Sequence, residues 1–228
     1  MTAAIAIWSV VTMVVYAAAR RLHDRWRFPL LHPMLVGVFV LAVAIETTGR
    51  SYAEYRDATE WIVWLAGPAV VAMAVPVYRL RTLLRARLPV IAIVIAAGLV
   101  FGFASMTTFL GLLDEPREVR LAGPLHAITS PVALPIARQM GARQDAMIVG
   151  VLTAGLIGAT VGPAMLRLLG VGDRRARGLA LGCGSHAIGV ARALEVDSVC
   201  GAFATLGMMG NAILGAVMFP YLARWFFG

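Results

Sequence analysis

The stretch GLALGCGSHAIGVARALE, from Gly178 to Glu195, combines an apolar, membrane-like composition with residues that disrupt a helix. It contains four glycines, a Ser-His pair and an arginine. In hydrocarbon every backbone amide must be paired, so an unwound chain persists only where it is buried in protein or lines a wet cavity. The stretch therefore predicts a broken membrane helix beside a polar cavity.

The composition of the whole chain requires lipid as its main solvent. Of 228 residues, 60% are hydrophobic and 14% are charged, and the mean hydropathy is +0.82. A soluble domain could not hide this apolar surface in one core. A bilayer core about 30 Å thick needs roughly 20 apolar residues per helix. The predicted spans are 2–19, 28–48, 61–78, 88–113, 146–169 and 199–223, with two less regular segments at 121–140 and 178–194.

The arginine-rich loops predict the topology, because such loops stay on the cytoplasmic side. Residues 20–27 and 79–87 lie inside on this rule, so the N-terminus is outside. If segment 121–140 crosses the bilayer, the run 172–178 falls outside; if it is re-entrant, the run falls inside. The second arrangement places 13 of 20 arginines inside. We therefore expect seven spans, one re-entrant segment and an inner C-terminus.

The order of the segments predicts an all-α polytopic membrane protein with an inverted repeat and discontinuous or re-entrant helices. Residues 28–113 and 146–223 carry similar elements in opposite orientation, which is typical of transporters. The expected organisation is a single membrane domain over 1–228. Its parts are a peripheral first helix with an inner loop (1–27), a first repeat (28–113), an outer loop with the re-entrant segment (114–145) and a second repeat (146–228).

Prolines and glycines within the apolar segments are candidates for helix breaks. A half-helix that starts at membrane depth offers free amides and a partial positive charge, which suits a small carboxylate. The alternative is that single glycines only allow close helix packing. The predicted break residues are Gly67, Pro68, Pro76, Pro131, Pro135 and Gly182.

Polar side chains in the same segments are candidate substrate contacts. His186 could couple transport to protons or, as a neutral ring, tie two helices together. Thr129 could cap a half-helix, Asn211 could bridge helices, and Arg192 could reach the interface. The candidate substrate-binding residues are Thr129, Ser130, Pro131, Gly184, Ser185, His186, Arg192 and Asn211.

Motifs for enzymatic chemistry are absent from the sequence. It has no catalytic spacing, phosphate loop or dinucleotide fingerprint. Cys183 and Cys200 lack the neighbouring ligands that a metal site needs. We expect no enzyme activity, no cofactor, no metal and no nucleic-acid partner. The apolar opening segment lacks a preceding basic region, and we interpret it as a retained helix.

Several of these stretches resemble the LrgB/CidB family of bacterial membrane proteins, whose plant relatives include the plastidic glycolate/glycerate translocator. The resemblance extends from about His32 to Pro220. Its motifs are GPAVVAMAVPVY, TSPVALPIA, GPAMLRLLG, ARGLALGCGSHAIGVARALE and GAFATLGMMGN. His126 stands where the family often has lysine, and Cys183 where threonine is common.

The resemblance implies two functions. One is transport of small monocarboxylates of the glycolate, glycerate, pyruvate or lactate type. The other is antiholin-like regulation of murein hydrolase activity and cell lysis, with a small holin-like membrane partner of the LrgA/CidA type. It also implies a place in the bacterial cytoplasmic membrane. Self-association into a homo-oligomer is left open.

Overall fold

The computed structural model describes residues 2–26, 31–65, 68, 71–72 and 74–227. In these ranges the chain is helical and contains no strand, as expected for an all-α protein. It divides into two compact units, residues 1–73 and 74–228. The helices are α1 (Thr2–Trp26), α2 (Pro33–Thr47), α3 (Tyr52–Trp64), α4 (Ala74–Arg79), α5 (Arg81–Arg85), α6 (Leu88–Leu112), α7 (Arg117–Ala122), α8 (Ser130–Met140), α9 (Gln144–Leu168), α10 (Arg174–Leu194) and α11 (Ser198–Phe227), with a 3-10 helix at Gly123–Ala127.

Four helices of the described part are long and apolar enough to cross a bilayer. They are Ile5–Trp26, Leu88–Leu112, Gln144–Leu168 and Ser198–Phe227. These confirm the predicted spans at 2–19, 88–113, 146–169 and 199–223. The predicted span 28–48 is shorter, since α2 has 15 residues and is therefore only about 22 Å long.

The first unit packs α1 against α2 and α3. Its polar contacts join α1 to α3: the Trp61 indole donates a hydrogen bond to Ser9 Oγ at 2.8 Å, and the Trp8 and Tyr55 rings meet edge to face. The acidic residues Glu54, Asp57 and Glu60 all lie on helix α3.

The predicted span 61–78 is not one continuous helix, because α3 ends at Trp64 and a turn follows at Leu65. The predicted break residue Gly67 lies outside the described residues. Pro68 is exposed. Pro76 lies within α4 and does not end it.

Residues 117–140 form a hairpin, here called hairpin 1. Helix α7 and the 3-10 helix lead inward, the chain becomes extended at Ile128 and Thr129, and α8 leads back. The amide of Arg143 then donates to the carbonyl of Glu118 at 3.0 Å. The segment therefore leaves at the end of the bundle where it entered, as the re-entrant interpretation of 121–140 requires.

The residues of α10 form two helical arms, 174–185 and 187–194, that fold back on each other at His186. We call this second hairpin hairpin 2. His186 has φ 50° and ψ −135°, outside the helical region. A Cβ on Gly189 would overlap the carbonyl oxygen of Leu181, eight residues earlier, whereas a straight helix would separate these residues by about 12 Å. Segment 178–194 is therefore broken, as predicted, but the prediction that it crosses the bilayer is wrong.

Helix α11 runs in the same direction as α6. Ile95 of α6 contacts Gly210, and the Phe103 ring of α6 packs on Phe219 at 5.4 Å between centroids. The first arm of hairpin 2 lies beside the beginning of α11, where a Cβ on Gly178 would overlap the Cys200 carbonyl.

The C-terminus therefore lies at the end of the unit opposite to residues 172–178, which we call the arginine end. At that opposite end Arg117 donates a hydrogen bond to the Phe227 carbonyl at 3.3 Å. The prediction that the C-terminus shares a side with residues 172–178 is wrong. If the arginine end is cytoplasmic, as predicted, the C-terminus is outside.

The second unit thus contains two pairs, each made of a long helix followed by a hairpin: α6 with hairpin 1, and α9 with hairpin 2. The two pairs run in opposite directions through the unit. Helix α9 runs antiparallel to the first arm of hairpin 2, since Gly162 lies beside Leu181 and Gly158 beside Ser185. This relation is inverted, as the fold class predicts. The pairing differs from the predicted repeat of 28–113 with 146–223, because the counterpart of hairpin 2 is hairpin 1.

Cysteine labelling tests the two-hairpin topology. In a Cys183→Ser, Cys200→Ala background, Gly172→Cys and Ser198→Cys should react with an impermeant thiol reagent from one side of the membrane. Asp114→Cys and Arg224→Cys should react only from the other side, since hairpin 2 returns to the arginine end. Labelling of positions 172 and 224 from the same side would contradict this topology.

Substitution of Gly189 tests the close approach of the two arms. Gly189→Ala should prevent the arms from closing, because its Cβ would overlap backbone, and the purified protein should aggregate or melt at a clearly lower temperature in detergent. Gly184→Ala in the same helix is the matched control, since a Cβ there has open space. Equal melting temperatures for the two variants would refute the hairpin geometry.

Candidate functional site

A cavity of about 600 Å³ lies within the second unit. Its walls come from α6, the first arm of hairpin 2, the tip of hairpin 1 and α11, and most of its lining is apolar. It extends from the start of α6 and α10, where Arg87 is exposed, to the middle of α11, where Asn211 is buried. The cavity therefore extends from the arginine end, where we call its end the mouth, to the hairpin tips, and its lining residues on α6 and on the first arm of hairpin 2 include exposed ones.

Three charged side chains surround the mouth of the cavity: Arg87, Asp173 and Arg175. Asp173 caps helix α10 by accepting from the Arg175 amide, and it also accepts from the Arg175 guanidinium at 2.8 Å. These hydrogen bonds lower the pKa of Asp173 to about 2. Arg87 has no ion-pair partner within the described ranges. The mouth therefore carries one net positive charge.

Asn211 lies at the inner end of the cavity and joins the two hairpins. Its side-chain amide donates to the carbonyl of Ala127 at 2.9 Å and to the carbonyl of Cys183 at 2.9 Å. Each carbonyl lies just before a break in its helix. Buried carbonyl groups without partners are costly, so Asn211 stabilises both tips at once.

His186 makes a second connection between the tips. Its Nε2 donates to the carbonyl of His126 at 2.6 Å, which is the helix-tying role that the sequence left open. Nδ1 of the same ring is buried without a partner in the described part of the chain.

The predicted substrate contacts divide into two groups. Gly184 and Asn211 line the cavity. The other predicted contacts are not among its lining residues; they are Thr129, Ser130, Pro131, Ser185, His186 and Arg192.

The half-helix at Thr129 offers fewer free amides than predicted. Thr129 is the N-cap of α8, but its side chain makes no capping hydrogen bond. The amides of Val132 and Ala133 both donate to the Thr129 carbonyl at 2.9 Å, and Pro131 has no amide hydrogen. Among the amides from Thr129 to Ala133, only those of Thr129 and Ser130 remain available.

The remaining predicted residues have structural contacts. Ser185 packs against α9 at Gly158, and Arg192 pairs with Glu195 on the surface. Gly182 is not a break residue: a Cβ there would overlap the Ala204 carbonyl, so this glycine allows α11 to approach.

The prolines of hairpin 1 behave differently from each other. Pro131 lies in the first turn of α8, where a proline is well tolerated, and marks the helix start as predicted. Pro135 lies inside α8 and does not break it.

Sequence reasoning missed Arg87 and Arg175 as cavity residues and left His126 out of the candidate site. Both arginines were interpreted only as topology signals. Arg87 lies one residue before α6, and Arg175 is the second residue of α10. The sequence could have placed both at one cavity mouth only if the directions of the two helices had been known.

The observed architecture defines a class: an all-α polytopic membrane protein with two opposed re-entrant hairpins that meet beside a cavity. The chain belongs to the LrgB-like family, which matches residues 12–225. This confirms the resemblance inferred from its motifs.

Relatives with similar sequences cover nearly the whole chain. The "Holin-like protein CidB" of Staphylococcus epidermidis is 29% identical over 96% of this chain and 95% of its own length, and that of Staphylococcus aureus is 28% identical over the same shares. The uncharacterized protein YxaC of Bacillus subtilis is 32% identical over 96% of this chain and 94% of its own. No solved structure matches.

Removal of the Asn211 side-chain amide should destabilise the second unit. Asn211→Leu leaves two buried carbonyl groups unpaired, so we expect a loss of about 2 kcal/mol in the free energy of unfolding, measured by denaturant titration in mixed micelles. Gln139→Leu, on the exposed surface of α8, is the control and should change little. Unaltered stability of Asn211→Leu would show that the bridge is dispensable.

Proposed function

We propose that this protein transports small monocarboxylate anions across the bacterial cytoplasmic membrane and has no enzyme activity. The observation that carries the proposal is the meeting of two opposed hairpins at the inner end of a cavity that begins at the arginine end. Broken helices that meet near the bilayer midplane at an inverted-repeat interface are typical of secondary transporters. The candidate substrates are glycolate, glycerate, pyruvate and lactate, as the family resemblance implies.

The charge at the mouth supports an anionic substrate. Arg87 has no ion-pair partner among the described residues, while Arg175 is held by Asp173. A cleft with one sign of charge and apolar walls raises the local concentration of the opposite ion. In this proposal the attraction comes from the mouth arginines rather than from half-helix N-termini, because the N-terminal ends of the returning arms do not line the cavity.

The contacts between the hairpin tips provide a barrier for alternating access. The hydrogen bonds of Asn211 and His186 lie between the cavity and the opposite end of the unit, where a smaller pocket of about 200 Å³ is lined by residues such as Arg117 and Arg224. In the proposed cycle these bonds break as the substrate passes and the outer side opens. The described conformation then has the mouth of the cavity at the cytoplasmic side.

A role in cell lysis is the second candidate, and the name "Holin-like" of the staphylococcal relatives favours it. In that case the chain would act as an antiholin-like regulator of murein hydrolase activity, together with a small LrgA/CidA-like membrane protein. Homo-oligomers are compatible with either function. Deletion of the gene should alter autolysis under the second hypothesis even if the purified chain moves no acid.

Uptake of labelled lactate or glycolate into proteoliposomes that contain this chain alone tests transport. Arg87→Gln should lower the initial rate by about threefold to tenfold at low ionic strength, because the mouth loses its unpaired positive charge. The difference should shrink at high salt, since exposed charges are screened.

Arg85→Gln is the matched control, because Arg85 is exposed but does not line the cavity. Equal losses in the two variants would remove the specific role of Arg87. No uptake of any monocarboxylate by the unaltered chain would refute the transport proposal and leave the lysis-related function.

A further inference from the structure

The smaller pocket of about 200 Å³ lies at the end of the second unit opposite to the arginine end. It lies between the start of α7, the end of α8 and the last turns of α11, which provide Arg117, Met140 and Arg224. No acidic residue is among its lining residues in the described part of the chain. The pocket therefore holds two positive charges in a small volume.

The arginines at this pocket have no acidic partner within the described ranges. Arg117 and Arg224 form no ion pair, and neither does Arg120, whose guanidinium lies over the Phe227 ring at 5.2 Å from its centroid. Arg117 donates one hydrogen bond to the Phe227 carbonyl, and Arg224 makes none in the described chain. Each guanidinium has five N–H donors, so most of the donors at this pocket are available to a ligand.

The pocket lies at the depth of the lipid headgroups. Helix α8 leads from the tip of hairpin 1 to Met140 at the pocket, and its 11 residues span about 16 Å. With the hairpin tips near the bilayer midplane, this length reaches the surface of a hydrocarbon core about 30 Å thick. Tyr221 and Trp225 are exposed on α11 beside Arg224, and such side chains mark the same level.

An insertion signal does not explain these arginines, because this end faces outward in the predicted topology and arginine-rich loops stay inside. Guanidinium groups bind phosphate through parallel N–H···O hydrogen bonds. Basic pockets between membrane helices bind the headgroups of anionic lipids. Leu121 and Met140 also line the pocket, so its walls combine phosphate-binding donors with apolar groups.

We propose that this pocket binds the phosphate diester of an anionic phospholipid from the outer leaflet, with Arg117 and Arg224 as its contacts. The bound headgroup joins the base of hairpin 1 to the end of α11 and adds to the hydrogen bond between Arg117 and Phe227. The site is separate from the cavity proposed for transport, and the inference does not depend on that function.

Thermal unfolding of the purified full-length chain in a neutral maltoside detergent tests the site. Phosphatidylglycerol, at ten times its half-saturating concentration, should raise the melting temperature by about 3–5 °C, because a ligand that binds only the folded state stabilises it. Phosphatidylcholine has the same phosphate diester but no net charge, and it should raise the melting temperature by less than half as much. Inorganic phosphate at the same concentration should have no effect.

Arg224→Gln should lower the apparent affinity for phosphatidylglycerol by about fivefold, the usual effect of one arginine beside an anionic lipid. Arg117→Gln combined with Arg224→Gln should lower it at least tenfold. Each variant is compared with its own lipid-free melting temperature, so the lost bond to Phe227 does not enter the result. Arg138→Gln is the matched control, because Arg138 is exposed at the same end of the unit but does not line the pocket.

A loss of affinity confined to the Arg117 and Arg224 variants supports the site, and Arg224→Gln decides alone if the double variant does not fold. An equal loss in Arg138→Gln overturns it, because the attraction would then be that of any surface charge. Equal shifts with the two phospholipids overturn the preference for an anionic lipid. A shift with inorganic phosphate as large as that with phosphatidylglycerol assigns the pocket to a soluble anion and overturns the lipid site.

Discussion

The second unit depends on the pairing of backbone carbonyl groups where two helices stop in the middle of the protein. In a bilayer no water can bond to these groups, and each unpaired carbonyl group would raise the free energy of the folded protein. The structure pairs the carbonyls of His126, Ala127 and Cys183 with the side chains of His186 and Asn211. Two polar side chains thus make two broken helices tolerable and bring their ends together.

The long spans and the broken character of both irregular segments follow from hydropathy and from the positions of glycine and proline. The path of segment 178–194 does not. If it returns rather than crosses, Arg192 moves to the inner side while Arg224 leaves it, so 13 of 20 arginines remain inside in both topologies. Charge counting cannot separate them. The reversal depends on the backbone at His186 and on the contact between Gly189 and Leu181, and neither feature has a signature in the residue pattern.

Of the predicted site residues in the two hairpins, only Gly184 lines the cavity. Glycine and proline show where a helix breaks. They do not show which of its two halves faces the cavity. In both hairpins the inward-leading arm provides the lining, so Gly184 lines the cavity, and Thr129 and Ser130 do not. Asn211 lines it from α11. Short-range patterns do not report this choice, because it is set by the packing of hairpin 2 against α11 through Gly178 and Gly182.

Helix α11 has 30 residues and is thus about 45 Å long, well beyond a hydrocarbon core of about 30 Å. Its last turns expose Tyr221 and Trp225, side chains that settle at the headgroup level. Because Arg117 at the base of hairpin 1 is bonded to the end of this helix, the hairpin is anchored to one leaflet. A helix that is longer than the hydrocarbon core tilts to relieve the mismatch. We therefore expect the length of the lipid chains to change the tilt of α11 and, through hairpin 1, the depth at which the two hairpin tips meet.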